Sequence, residues 1–206
     1  TPETKPVFEA KAKEKNSEIY FASDIINQDY ASDLIGDYQI HNKKTVVQTI
    51  QIINSKSSFT VSEKNIQSGF LHVVKNTGLL GRWQELGQSP KIICDTAHNK
   101  NGLEIVMKQI QKEKFDSLHI VLGVVNDKDL EEILPLFPKN GIYYFCKPSI
   151  PRGLDAEKLK EKASEFGLIG EVYNSISEGY GKAVQQATPT DFIYIGGSTF
   201  VVAEIL

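Results

Sequence analysis

Asp95, His98 and Asn99 follow the short apolar run KIIC and precede a segment with helical apolar spacing. A carboxylate at a strand mouth can accept two hydroxyl hydrogen bonds, which suits the 2′- and 3′-OH of a ribose. It can equally serve as a turn residue bonded to its own backbone. His98 can contact a phosphate or move a proton, or simply bond a loop carbonyl. Asn99 and Asn101 are both candidate helix N-caps, and Glu104 three residues after Asn101 fits a capping box. Further along, Lys128 stands between two Asp in GVVNDKDL, where a cation at a helix start either serves an anionic ligand or is merely solvated. Arg152 is a second cation at a strand mouth. Gly196, Gly197 and Ser198 form a small-residue turn whose backbone N–H groups could hold a carboxylate or phosphate, or which simply packs tightly.

These residues belong to a regular alternation that begins near Lys91. KIIC, LHIVLGVV, IYYFC, EVYNS and DFIYIGG read as strands. LHIVLGVV is apolar throughout, as a strand buried on both faces requires. Between them lie helical patterns: Leu103 to Ile110, DLEEILPLF capped by Asp129, Asp155 to Phe166 stopped by Gly167, and a helix capped by Ser175. A last helix starts at Ser198. The pattern predicts an α/β fold: a Rossmann-like, mostly parallel sheet with helices on both faces. Ligands of such sheets bind outside the strand carboxyl ends, so DTAHNKN, NDKD, KPSIPRG and GGST are the loops to watch.

Before Lys91 the pattern is different. EIYFAS reads as a strand, Lys43 to Asn54 as a helix, and Thr60 with Glu63 as the cap of a second helix ending at Gly78. One strand and two helices make a thin core. The expectation is a two-part chain, with residues 1–78 as the tail of a larger domain whose beginning is missing and 79–206 as the α/β domain. LLGRWQELGQSP would be the link. The first residue is not Met, so a fragment or processed product is expected.

The chain has 206 residues, 40% hydrophobic and 24% charged, with net charge −3. That is an ordinary globular composition with no clustered basic surface for nucleic acid. No apolar run reaches the ~20 residues of a membrane helix, and the polar start leads us to expect no signal peptide. Cys94 and Cys146 lie within apolar runs, so two buried, reduced thiols are expected, in a cytoplasmic protein. Neither G-x-x-x-x-G-K-[ST] nor G-x-G-x-x-G occurs. If a triphosphate binds, something outside this chain must grip it.

Five segments together resemble one family: GDYQIHNKKTVVQTI, GRWQ, DTAHNKNG, GVVNDKD and IGGSTFVVAEIL. Their order and spacing look like the C-terminal half of folylpolyglutamate synthase/dihydrofolate synthase, of the Mur ligase superfamily. Lys100 stands where that family has Pro, and Val46 and Val47 where it prefers Ala. A further Gly precedes Gly197-Ser198. None of these changes removes a ligand group.

The resemblance implies an ATP-dependent ligase that uses Mg2+ and joins L-glutamate to folate or dihydropteroate. The phosphate loop, metal ligands and most of the folate pocket would lie in an N-terminal ATPase domain absent from this chain, on which the chain would pack. Carried over residue by residue, Asn42 would touch the base, Arg82 the phosphates and Asp95 the ribose. His98 would lie near the reacting phosphate. Lys128 and Ser198 would meet the glutamate carboxylates. The rival readings are a muramyl-peptide ligase of the same superfamily, a nucleotide-binding docking module without catalysis, and a redox protein using a cysteine.

Overall fold

The computed structural model describes residues 2–206. The chain divides into two compact units: residues up to Ser32 with Gln39–His72, and Asp33–Tyr38 with Val73–Leu206.

The first unit is helical. It contains α1 (Lys5–Glu14), α2 (Ala22–Ile25), α3 (Gln39–Lys56) and α4 (Glu63–Leu71). Its core is small: Ile26, Tyr30, Val47, Ile66 and Phe70, with Ile50 and Val61 packed against them. The expected strand EIYFAS does not form. Residues 18–21 are irregular and α2 begins at Ala22, because this unit has no sheet to pair such a strand. The α4 cap is Ser62, which accepts from the Asn65 N–H, rather than Thr60. The helix expected to reach Gly78 breaks at His72, and α5 (Val73–Thr77) resumes before Gly78.

The second unit is the expected α/β layer structure. Its strands are β1 (Gln84–Gln88), β2 (Lys91–Cys94), β3 (Leu118–Leu122), β4 (Ile142–Cys146), β5 (Gly170–Tyr173) and β6 (Phe192–Gly196). They lie in the order β1-β2-β6-β3-β4-β5. The five strands expected from sequence all pair in parallel. β1 is an antiparallel edge strand with a bulge between Glu85 and Gly87, formed from part of the supposed link.

Helices α6 (Lys100–Ile110), α7 (Leu130–Ile133) and α8 (Ala156–Glu165) cover one face, and α9 (Ile176–Gln186) and α10 (Thr199–Ala203) the other. The two-residue period of a strand explains the division. Ile120 and Leu122 of β3 join Leu103, Val106 and Ile110 of α6. Val121, between them, joins Ile176 and Ala183 of α9 and Val201 of α10. Every β3 residue is therefore buried. Cys94 and Cys146 are free and buried. Burial pushes both thiols up to about 12, which leaves little thiolate for redox chemistry.

The topology opens a crevice at one edge. β2 and β3 send the chain to α6 and α7 on one face, while β6, lying between them, sends it to α10 on the other. Adjacent connections that diverge in this way leave room outside the strand carboxyl ends.

Candidate functional site

The crevice holds a cleft of about 250 Å3, lined by His98, Val125, Asp127, Lys128, Arg152, Ser198, Thr199 and Phe200. A larger recess, about 570 Å3, lies by Lys91, Asp116 and Asp191 near the strand amino ends. Size alone does not select the functional site; the strand-mouth cleft is the one that gathers the expected residues.

His98 is half-buried, and its Nδ1 lies 2.9 Å from the Thr96 carbonyl oxygen. A carbonyl only accepts, so Nδ1 carries the hydrogen and Nε2 of the neutral ring keeps its lone pair. Asn99 caps α6 by accepting from the Gly102 N–H at 2.9 Å; Asn101 lies inside the helix. Lys128 is half-buried, and among the described residues its ammonium has no salt-bridge partner. Asp129 caps α7, accepting from the Glu132 N–H at 3.2 Å. Ser198 is buried and caps α10, its Oγ accepting from the Phe200 N–H at 3.2 Å; its own hydroxyl hydrogen is still available. Gly197 precedes it with φ +93, and a Cβ there would lie 2.6 Å from Leu122 Cδ1. Only glycine satisfies both the left-handed turn and the close approach.

Asp95 occupies a different position. It is 1% exposed. Its Oδ2 accepts from the Trp83 N–H at 2.6 Å and the Tyr38 hydroxyl at 2.7 Å, and its Oδ1 from the Ala97 N–H at 2.8 Å. The carboxylate thus fastens three segments together. The bond to Ala97 closes its own turn, and the bond to Trp83 supports a non-glycine residue at φ 49. Burial raises the Asp95 carboxyl, and these hydrogen bonds pull it back. Burial, then the Asp95 charge, pushes the Tyr38 phenol well up, so it remains a donor. Tyr38 ends a strap, Asp33–Tyr38, that Gln109 of α6 pins from both sides. The Gln109 Oε1 accepts from the Asp37 N–H at 2.7 Å, and its Nε2 donates to the Ile35 carbonyl at 3.2 Å.

Arg82 is exposed and donates to Thr96 Oγ1, which places it next to Asp95. The structure therefore brings His98, Lys128 and Ser198 together at the cleft, and Arg82 and Asp95 together beside it. Neither Arg82 nor Asp95 lines the cleft. Asn42 lies on α3 of the helical unit, exposed, with its amide donating to Gln39 Oε1 at 2.9 Å. Tyr38, Trp83, Thr96 and Phe200 were not picked out by sequence. Arg152 was recognisable only as a cation at a strand mouth.

Comparison with known proteins gives a consistent result. The family model for the Mur ligase glutamate ligase domain matches residues 81–199. The dihydrofolate synthase/folylpolyglutamate synthase of Escherichia coli is 29% identical over 152 residues, covering 73% of this chain and 34% of that protein. A solved structure of E. coli FolC in complex with DHPP and ADP superposes with a TM-score of 0.71 at 25% identity, over 86% of this chain and 40% of that one. A Mycobacterium tuberculosis folylpolyglutamate synthase complexed with ADP shares the fold, with a TM-score of 0.71 at 23% identity over 86% of this chain and 41% of that one. The chain spans less than half the length of these relatives. With more than half of its residues matched by the family model, the chain belongs to the Mur ligase family through its glutamate ligase domain.

Proposed function

We propose that this chain is the amino-acid side of an ATP-dependent amide ligase that adds L-glutamate to folate or dihydropteroate. In that reaction a substrate carboxylate takes the γ-phosphoryl group of ATP, giving an acyl phosphate and ADP. The glutamate amine attacks the acyl carbon, loses a proton, and inorganic phosphate leaves. The observation that carries the reading is the convergence of His98, Lys128 and Ser198 on one cleft at the strand carboxyl ends. Lys128 and the Ser198 hydroxyl meet glutamate carboxylates. His98, beside the reacting phosphate, has Nε2 free to take the amine proton. Catalysis then comes mainly from positioning and from fixed charge.

Nucleotide contacts form the second part of the proposal. Arg82 suits phosphate oxygens through its planar fork, and Asn42 takes the base. Asp95 takes the ribose diol, but only after the Tyr38 hydroxyl leaves Oδ2, since three of its roughly four lone-pair sites are already used. Among the described residues no group of three or more His, Cys, Asp or Glu could hold a metal ion. A magnesium ion serving the phosphoryl transfer would be held by the nucleotide and by a phosphate-gripping region beyond these residues. In the same reading residues 1–78 are the tail of an ATP-binding domain and 79–206 the glutamate ligase domain.

The test is product formation. Joined to a phosphate-loop domain, the chain should add glutamate to dihydropteroate or tetrahydrofolate and leave a UDP-muramyl substrate untouched; the 206-residue chain alone should turn over no ATP. ATP hydrolysis by the chain alone, or reaction with the muramyl substrate only, would contradict the proposal.

A further inference from the structure

We propose that Tyr38 is a positioning residue of the nucleotide site, whose hydroxyl holds the place of a ribose hydroxyl on Asp95 until the nucleotide displaces it. This rests on the reading of Asp95 given above, as the carboxylate that takes the ribose diol. The first support is the count of lone pairs. Oδ2 accepts from the Trp83 N–H and the Tyr38 hydroxyl, and Oδ1 from the Ala97 N–H. Oδ2 is therefore full, and Oδ1 keeps one site. A diol that offers one hydroxyl to each oxygen finds room on Oδ1 alone. Tyr38 is the partner that can leave, because the other two are backbone groups of the turns around Asp95. It is a neutral O–H donor at 2.7 Å, the ordinary length for such a bond, and a ribose hydroxyl is the same kind of donor. Asp95 is 1% exposed. Exchanging one hydroxyl for the other keeps this carboxylate satisfied in both states and avoids the cost of a buried acceptor without a partner.

The second support is the way the strap delivers the hydroxyl. The Tyr38 ring folds back over Gly36, where a Cβ would fall 2.9 Å from Tyr38 Cε1 and 3.3 Å from Trp83 Cβ. A larger residue at position 36 would press the ring away from this seat. The strap thus carries Tyr38 to Asp95 by its own shape, beside the segment that Trp83 occupies.

The third support is how lightly the strap is held. Gln109 bonds the Asp37 N–H and the Ile35 carbonyl, and Asp33 Oδ2 accepts from the Val74 N–H at 3.0 Å. Asp37 also pairs with Lys112, but the two side chains are 41% and 68% exposed, and such a pair contributes little. Ile35 is 56% exposed and gives no buried anchor. A segment held in this way opens at a small part of the cost of unfolding the sheet. Tyr38 can therefore yield Asp95 while β2 and α6 stay in place. By linkage, a nucleotide that displaces the hydroxyl loosens the strap, and a loosened strap favours the nucleotide to the same extent.

Titration calorimetry of the chain with ADP and with 2′,3′-dideoxy-ADP tests the assignment. The wild-type chain should prefer ADP. Tyr38→Phe keeps the ring over Gly36 and removes only the hydroxyl. It should raise the preference for ADP by about 10-fold, the weight of one hydrogen bond to a charged group, and leave the dideoxy analogue unaffected. Gln109→Leu frees the strap without touching Asp95 and should raise the preference by less. In the wild-type chain, ADP but not the analogue should speed hydrogen exchange at the Asp37 amide. An unchanged or smaller preference in Tyr38→Phe, or an Asp37 amide that ADP protects, would overturn the role of Tyr38 and leave the ribose reading intact. A chain that binds the two nucleotides equally in every variant, or binds neither, would overturn both.

Discussion

The two units of this chain use apolar residues in opposite ways. The sheet unit closes two apolar layers over a fully buried strand array, so that Phe145, Ile120, Tyr194 and Val201 are each within 1% of complete burial. The helical unit buries Ile26, Tyr30, Val47, Ile66 and Phe70 only to 3–8% exposure, and leaves Val7, Phe8 and Phe59 at 67%, 59% and 74%. Helices α6, α8 and α9 each carry a side-chain N-cap and buried residues, whereas α1 has neither. What differs is whether an element finds a complementary face among its neighbours, since helical stability in proteins comes mostly from such packing. In the sheet unit the apolar stripes pack into the layers on the two sheet faces; in the helical unit α1 and α2 bury none of their residues. Precise placement of a cluster such as His98, Lys128 and Ser198 needs the first condition.

Cavity-forming substitutions measure that difference. Phe145→Ala removes a ring stacked on Tyr143 at 5.6 Å and should cost about 3–5 kcal/mol in a denaturant titration. Phe70→Ala, at a site that water already reaches, should cost about half as much on the same scale. Equal losses would mean that the two cores are equally well packed. Asp95→Asn comes next. It exchanges an acceptor used by both Trp83 and Tyr38 for a group that can leave a buried amide unsatisfied, at about 1–3 kcal/mol. No loss of stability there would show that Asp95 does not fasten the loops.

The smallest effect concerns pH. His119 is buried, and burial lowers its imidazole below the usual 6.5, although Asp191, 3.5 Å away, opposes the shift. Between the lowered value and 6.5 the unfolded chain binds more protons than the folded one, so stability falls as the pH drops below 6.5. His119→Leu should flatten that slope, as read from midpoints in a pH series. An unchanged slope would assign it to other groups.

The sequence revealed most about the elements that depend on local rules. Four of the five parallel strands stand out as apolar runs and the weaker EVYNS follows from the alternation, and Asp129, Asp155, Ser175 and Ser198 cap the helices that follow them. Errors came where tertiary context decided. EIYFAS has strand composition but no sheet to join. β1 was hidden by Gly, Ser and Pro on either side, because an edge strand with a bulge needs no continuous apolar run. At the cleft, the company of His98, Lys128 and Ser198 was legible because each lies in a loop or turn that follows a strand, at the sheet edge where ligands bind by rule. The covering of Asp95 by Tyr38 was not, since it joins residues 57 positions apart through a strap with no periodic signal. Nor was the seat of the Arg152 guanidinium over the Phe200 ring, which depends on β4 and β6 lying on either side of β3.

The most direct trial of the cleft is an amide NMR titration of the isotope-labelled chain with L-glutamate. Saturable shifts should be confined to His98, Asp127, Lys128, Arg152 and Ser198 to Phe200, with Lys91, Asp116 and Asp191 at the opposite end of the sheet unmoved. Shifts at that opposite end, or none at the cleft, would remove the basis for placing the amino-acid substrate there.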